Sequence, residues 1–347
     1  MKRAIFLILG MILLGTMIYA GDALVMPARV GRFYLAPTMI FGGKAFDEDG
    51  NRQDSNDLRF FNLGMALEYG VNNWITGAAQ WTPGLNVWST IDTKIGNSDV
   101  RVFDKGDLFL GAKMQIIGQT APFTSDFFRL SFAPGLKVPL GGPDFEEQAK
   151  NAERGDPVTP MTLDKHVLGL GLRSYLDYIV NENFYINFYN EFLFYPMKRD
   201  MKKAGFSEYM TITGINDSFS AFNTSVSGEV SYGYDLTFEL EPVFTMPLAD
   251  TIVFNAGLPL NFSTTRGKNY HFSASGPADN IALETIKDAV PNEKQSQLFT
   301  LGASSSLFFR GWSVPMEFKL SYTCPVWGIN RPANHVVNLQ IRTYFRI

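Results

Sequence analysis

Apolar and polar side chains alternate with a period of two residues in about twelve segments of this 347-residue chain. In residues 128–140, Phe128 and Leu136 fall on one set of positions, whereas Arg129 and Lys137 fall on the other. Successive side chains of a strand point to opposite faces, so each segment predicts a strand with one apolar face. About twelve such strands need a very large apolar environment. A bilayer provides one, and a closed barrel is the only strand architecture whose backbone is fully paired there.

We therefore predict an all-β fold, a transmembrane antiparallel up-and-down β-barrel of about twelve strands, with fourteen as the alternative count. A chain that begins and ends in the periplasm needs an even number of strands, which twelve satisfies. The predicted strands are residues 32–41, 58–70, 74–83, 108–117, 128–140, 167–180, 184–195, 230–246, 252–263, 298–310, 314–325 and 336–347.

The connections between these strands alternate strictly between short and long. Outer-membrane barrels have short periplasmic turns and longer extracellular loops, so this alternation supports the barrel and gives its orientation. The short turns are residues 71–73, 119–125, 181–183, 249–251 and 311–313, and the long loops are residues 42–56, 84–106, 141–165, 197–228 and 264–295.

Two of the long loops contain weak helix signals. Residues 145–154 are rich in helix-forming residues. Asn280 can cap a helix over residues 281–290, in which Ile281 and Ile286 would lie near one face. Each segment is either an exposed loop turn or a helix folded into the barrel mouth as a constriction.

The first residues have the pattern of a secretory signal. Lys2 and Arg3 precede an apolar run over residues 4–17, and Ala20 offers a cleavage site. The run is shorter than the ~20 residues that a spanning helix needs, which disfavours a membrane anchor. We predict a signal peptide at residues 1–20, a single barrel domain at residues 21–347, and export to the outer membrane.

The predicted strands also identify the side chains that would face the interior or the lipid. The charged pore-lining candidates are Lys113, Arg129, Lys137, Arg173, Glu191, Asp235, Glu239, Glu241, Glu317, Lys319 and Arg342. The lipid-facing set of the eighth strand would be Val230, Tyr232, Tyr234, Leu236, Phe238 and Leu240. Cys324, the only cysteine, would also face lipid, and it can form no disulfide within the chain.

The inward charges allow two interpretations. Basic residues dominate the fourth to sixth strands and acidic residues the seventh and eighth, so opposed charged arcs could set up a field across the lumen. Alternatively, the charges pair between neighbouring strands and fill the interior. A barrel of about twelve strands is intermediate in width, so we expect a narrow or partly plugged path rather than a wide pore.

Other functional classes have little support. A net charge of −4 does not indicate a nucleic-acid-binding surface. The sequence contains no phosphate loop, dinucleotide motif or metal-ligand cluster, so we expect no cofactor and no metal. A barrel hydrolase would need one of His166, His271 or His335. We interpret the first and third as rim residues and the second as a loop residue, all of them structural or solvated.

Two short motifs resemble a known family. Residues 67–74 read LEYGVNNW, a strand–turn–strand pattern in which Tyr69 lies at the interface and Gly70 would form the turn. Residues 135–141 read GLKVPLG, where a strand enters an outer loop. Both resemble the barrel family associated with phenol meta-pathway degradation, a relative of the FadL-type transporters. The resemblance implies passive uptake of small molecules, hydrophobic ones among them.

One departure from that family concerns the chain start. FadL-type proteins carry an N-terminal hatch in the lumen, whereas only residues 21–31 precede the first predicted strand here, too few for such a plug. The last strand carries an apolar face to the end of the chain, which resembles a signal for the barrel-assembly machinery. The expected partners are therefore outer-membrane lipid, that machinery and a small-molecule solute. A surface-interaction protein with binding loops is the alternative function.

Overall fold

The computed structural model describes residues 23–92, 99–100, 105–140, 165–200, 226–276, 280–289 and 291–346. Its strands are β1 (Val30–Phe46), β2 (Arg52–Asn72), β3 (Ile75–Asp92), β4 (Asp99–Val100), β5 (Asp107–Ile117), β6 (Phe128–Pro139), β7 (Gly169–Asn181), β8 (Phe184–Asp200), β9 (Val226–Ala249), β10 (Ile252–Gly257), β11 (Leu260–Thr265), β12 (Asn269–Ala274), β13 (Ser296–Phe309), β14 (Met316–Ile329), β15 (Arg331–Pro332) and β16 (His335–Arg346). A helix, α1, spans Asn280–Ala289.

The strands form one closed antiparallel ring of twelve positions. The order around the ring is β1, β2, β3, β5, β6, β7, β8 and β9, then β10 to β12 as a single position, then β13, β14 and β16. β16 pairs again with β1, from Val30 opposite Arg346 to Phe41 opposite His335, which closes the barrel. The predicted twelve-stranded barrel is confirmed.

The burial pattern of the ring is the reverse of that of a soluble protein. Leu172 on the outer face of β7 is 47% exposed, whereas its neighbour Arg173 on the inner face is 4% exposed. Leu136 and Phe132 on β6 are likewise exposed, and Lys137 is buried. An apolar outer surface around a polar interior is the pattern of a barrel that crosses a bilayer. Among the described residues, no helix is long and apolar enough to cross a membrane.

The predicted short turns lie at the end of the barrel where β1 begins and β16 ends. The first outer loop differs from its prediction. β1 and β2 continue pairing to Phe46 opposite Arg52, so the connection is residues 47–51 rather than 42–56. Polar residues pair as strands beyond the lipid-facing band because backbone hydrogen bonding does not depend on side-chain polarity. The predicted helix at residues 145–154 lies outside the described residues, as does the signal peptide.

The predicted ninth strand is divided in two. β10 ends at Gly257 and β11 begins at Leu260, and Pro259 lies between them. Proline has no N–H to donate to the sheet, so the pairing is interrupted at this point. The Pro259 carbonyl still accepts a hydrogen bond from the Gly302 N–H at 2.8 Å. β12 follows in a segment predicted as loop, and His271 therefore lies on a strand rather than in a loop.

A bulge in β9 corrects the predicted lipid-facing set of that strand. Gly233 has φ = +70°, a left-handed conformation that glycine adopts without strain. One extra residue at a bulge reverses the faces of all residues beyond it. Leu240 faces out as predicted, but Val230 and Tyr232 are fully buried inside the barrel. The alternation in the sequence continues through Gly233, so it did not reveal the reversal.

Candidate functional site

The chain segment before β1 lies inside the barrel and crosses its periplasmic end; we call this segment, Ala23–Pro27, the strap. The Ala23 N–H donates to Asp177 Oδ2 on β7 at 3.1 Å, and Gln115 Nε2 donates to the Ala23 carbonyl at 3.2 Å. The Met26 N–H donates to Thr76 Oγ1 on β3 at 2.8 Å. These contacts join the strap to β3, β5 and β7, so it forms a floor across one side of the lumen.

Gly70 on β2 makes room for the strap. A Cβ atom on Gly70 would lie 2.0 Å from the Pro27 carbonyl oxygen and 2.5 Å from that of Met26. The Gly70 carbonyl also accepts a hydrogen bond from the Arg29 N–H at 2.9 Å. The prediction that Gly70 forms a turn was therefore wrong, because its role in the structure is to allow close approach of another backbone segment.

An apolar cluster, which we call the outer cluster, lies inside the barrel toward its outer end. It joins residues from β5, the segment before β7, β8, β9, β12 and α1: Phe109, Val167, Leu193, Tyr195, Val226, Val230, Tyr232, Tyr270 and Ile286. Leu283 of the helix packs against it. The helix at Asn280 is thus confirmed in its inward-folded form. Ile281 was placed on the wrong face, because it is 80% exposed.

Between the strap and the outer cluster lies a cavity of about 100 Å³. Its walls come from β1, β2, β3, β5, β6, β7 and β16, and Leu24 of the strap lies at its base. The charged side chains of its lining are Arg32, Glu68, Lys113, Arg173 and Arg342. Tyr34, Tyr175 and Phe109 supply aromatic surface.

The predicted basic residues face the interior, and ion pairs compensate most of them. Arg173 Nε lies 2.6 Å from Glu191 Oε1, and the guanidinium also bonds the side chain of Gln80. Arg129 Nε lies 3.1 Å from Asp177 Oδ2. Lys113 Nζ lies 4.1 Å from the ring centroid of Tyr175, a cation–π distance.

Most of the remaining predicted candidates form similar pairs inside the barrel. Lys137 pairs with Asp107 at 2.9 Å, Asp235 with Lys165 at 2.6 Å, Glu241 with Lys319 at 3.7 Å, and Glu317 with Arg342 at 3.0 Å. Glu239 is also buried, and it accepts a hydrogen bond from Asn261 at 3.3 Å. Opposite charges this close together largely cancel each other's field. Pairing between nearby residues therefore describes the lumen better than a basic arc opposed to an acidic arc.

Several residues of this interior were missed by the sequence analysis. Arg32 lies 2.5 Å from Glu68 and lines the cavity. The alternation in β1 could have placed it, because Phe33 and Met39 face out and Arg32 has the opposite parity. Asp107 could have been found from the parity of β5. The strap has no signal in the sequence, since its contacts are with strands distant along the chain.

Two of the three histidines contact side chains of neighbouring strands. His335 lies at the outer rim, where its ring stacks on Phe41 at 5.5 Å and its Nδ1 lies 2.7 Å from the Tyr322 hydroxyl. His271 Nε2 lies 3.2 Å from the Ser231 hydroxyl on an exposed part of β12. Within the part of the chain that the structure describes, no three His, Cys, Asp or Glu side chains lie close enough together to hold a metal ion.

Comparison with known proteins identifies similar structures but no similar sequence. No protein-family model matches the chain, and no curated protein matches its sequence. The crystal structure of the COG4313 outer membrane channel from Pseudomonas putida F1 superposes with a TM-score of 0.59 at 12% identity, covering 94% of this chain and 100% of that one.

Two further structures are more distant. The β domain of the Bordetella autotransporter BrkA has a TM-score of 0.44 at 10% identity, with 91% of this chain and 100% of that one covered. The toluene transporter TodX from P. putida has a TM-score of 0.38 at 7% identity, with 95% of each chain covered. The closed ring, its apolar exterior and the superposition on the P. putida structure together give this chain the fold of an outer-membrane β-barrel.

Proposed function

We propose that this protein is an outer-membrane channel for passive uptake of small molecules, including hydrophobic ones. The observation that carries the proposal is the cavity between the strap and the outer cluster, inside a closed ring. A fully packed barrel that served only as a scaffold would have no need for a lined space of about 100 Å³ at this position. The similar P. putida structure is described as an outer membrane channel, which agrees with this function.

The solutes of such a path are small. An engineered apolar cavity of about 150 Å³ accepts benzene, so a space of this order holds a molecule with about one ring. Phe109, Tyr34, Tyr175 and Leu24 supply the apolar contact that a hydrophobic solute needs. The charged residues between them would favour solutes that also carry a polar group. The eleven predicted lumen charges, Lys113 and Arg173 among them, are the proposed lining of the path.

We propose that transport involves movement of the constrictions and no catalysis. The strap is held by a few hydrogen bonds, and the helix α1 belongs to a loop segment between β12 and β13. Both are easier to displace than a strand of the ring, which is bonded on two sides. We further propose that residues 1–20 are the signal peptide and that the last strand is recognised by the barrel-assembly machinery.

Planar-bilayer recording and liposome swelling test the function directly. The mature full-length chain is refolded in detergent, and a heat-dependent shift in gel mobility verifies that the barrel is closed. We expect discrete conductance steps, and swelling that is faster for single-ring solutes than for disaccharides. A closed barrel that gives neither conductance nor swelling with any of these solutes would refute the proposal.

A further inference from the structure

One asparagine in the cavity wall has a side-chain oxygen that lacks a hydrogen-bond donor among the described residues. Asn62 on β2 is 2% exposed and lines the cavity. Its Oδ1 is buried and accepts no hydrogen bond from any residue that the structure describes. Most buried polar side-chain atoms in proteins are bonded to a partner. The Asn62 amide is therefore available to a molecule in the cavity.

The polar residues on the two neighbouring strands donate to other acceptors. Thr38 on β1 and Asn86 on β3 lie opposite Asn62 in the strand register. The Thr38 hydroxyl donates to a carbonyl of its own strand at 3.3 Å and accepts from Asn338 Nδ2 at 2.6 Å. Asn86 Nδ2 donates to Ser89 Oγ at 3.1 Å. The neighbours are thus satisfied by one another, which leaves the Asn62 amide to the cavity.

Small residues beside Asn62 give the cavity its space. Gly64 follows Asn62 on the inner face of β2, and Ala36 lies opposite Gly64 on β1. A Cβ atom on Gly64 would lie 3.4 Å from the Trp81 carbonyl oxygen and 3.6 Å from Ala36 Cβ. These are ordinary contact distances, so alanine would fit and glycine leaves extra room. Phe109 supplies ring surface in the same cavity.

The charged groups of the cavity are already engaged within the protein. The ion pairs are Arg32 with Glu68, Arg173 with Glu191, and Arg342 with Glu317. Lys113 Nζ lies 4.1 Å from the ring centroid of Tyr175. An ionic ligand would have to compete with these contacts, and breaking a buried ion pair is costly. A neutral ligand leaves all of them intact.

We infer that Asn62 makes the cavity selective for small neutral molecules that carry a hydroxyl group beside an apolar part. An asparagine amide has a donor side and an acceptor side, and rotation about its Cβ–Cγ bond turns either toward the cavity. A hydroxyl both donates and accepts, so it matches the amide in both orientations. This inference rests on the proposed function for its role in uptake, whereas the binding itself does not depend on transport.

Binding of benzyl alcohol and anisole tests the selectivity, because the two are isomers with one ring and one oxygen each. The anisole oxygen carries no proton, and it is a weak acceptor because its lone pair is delocalised into the ring. Calorimetric titration of the folded full-length barrel in detergent should show benzyl alcohol binding about tenfold more tightly than anisole. Titration of both isomers into protein-free micelles corrects for their partition into detergent.

Two substitutions of Asn62 and one control locate the effect. Asn62→Leu should abolish the preference for benzyl alcohol, and it should fold because it replaces an unbonded buried amide by an apolar side chain of similar size. Asn62→Thr keeps a hydroxyl and should retain part of the preference. Asn255→Leu is the matched control, because Asn255 lies on β10 outside the cavity lining and bonds Ser306 at 2.9 Å.

Conductance in planar bilayers separates the binding site from the channel function. Equal binding of the two isomers to the unmodified protein, with conductance present, would overturn the inference and leave the channel function intact; this is also the result expected if water alone bonds Asn62. A preference that persists in Asn62→Leu, or that disappears equally in Asn255→Leu, would overturn the assignment to Asn62. A preference that Asn62→Leu alone abolishes, without any conductance, would support the site and refute the channel function.

Discussion

Weakening the strap should open the periplasmic side of the lumen. Thr76 is 2% exposed, and its Oγ1 accepts the Met26 N–H at 2.8 Å. The Thr76→Val variant keeps the shape of the side chain but removes this acceptor. A buried N–H without a partner costs about 1–3 kcal/mol, which lowers the docking equilibrium of the strap by a factor of about 5 to 150.

The assay is single-channel recording of the variant in planar bilayers. We expect the channel to spend more time in its higher-conductance state, or to show that state for the first time. Gly70→Ala should act in the same direction for a different reason, since its Cβ would lie 2.0 Å from the Pro27 carbonyl oxygen. Thr245→Val is the control, because Thr245 bonds Asn255 on β10 rather than the strap.

Agreement between the two strap variants is the decisive result. Thr76→Val removes an attraction and Gly70→Ala adds a clash, so the variants share only the loss of the docked strap. If both fold to heat-modifiable barrels and both conduct as the unmodified protein does, the strap is no part of the barrier. An equal change in Thr245→Val would mean that any change at this end alters conductance.

Three further predictions concern the interior and the outer surface. Glu191→Gln should destabilise the barrel by about 3–5 kcal/mol, because it leaves the buried Arg173 without its carboxylate, and urea unfolding in detergent measures this. Ile286→Asp places a carboxylate in the outer cluster and should raise conductance by displacing α1, whereas Ile281→Asp on the exposed side should not. Phe132→Arg on the outer face of β6 should lower the free energy of unfolding by about 2–4 kcal/mol when folding is measured in bilayers. A much smaller loss would mean that this face of the barrel does not contact lipid.

The sequence pattern was enough to predict the closed ring of strands and its orientation. Strand alternation depends only on local geometry, so Arg173 and Leu172 could be assigned to opposite faces without knowing any neighbour. Loop lengths gave the orientation for the same reason, as they are properties of the chain itself. The helix at Asn280 was also predictable, because capping and periodicity are local signals.

The contents of the lumen depend on tertiary structure. The strap bonds Thr76 through Met26, 50 positions away, and Asp177 through Ala23, 154 positions away. No local sequence pattern predicts contacts between residues so far apart. Val230 and Tyr232 face inward rather than outward because Gly233 adopts a left-handed conformation. A glycine can stand in a regular strand or in a bulge, so the sequence alone does not reveal this change. The pairing of Arg173 with Glu191 depends on strand register. The sequence by itself thus determined the wall of the barrel, because alternation is local, whereas only the folded barrel decided which groups occupy and line the lumen, because those contacts cross the ring.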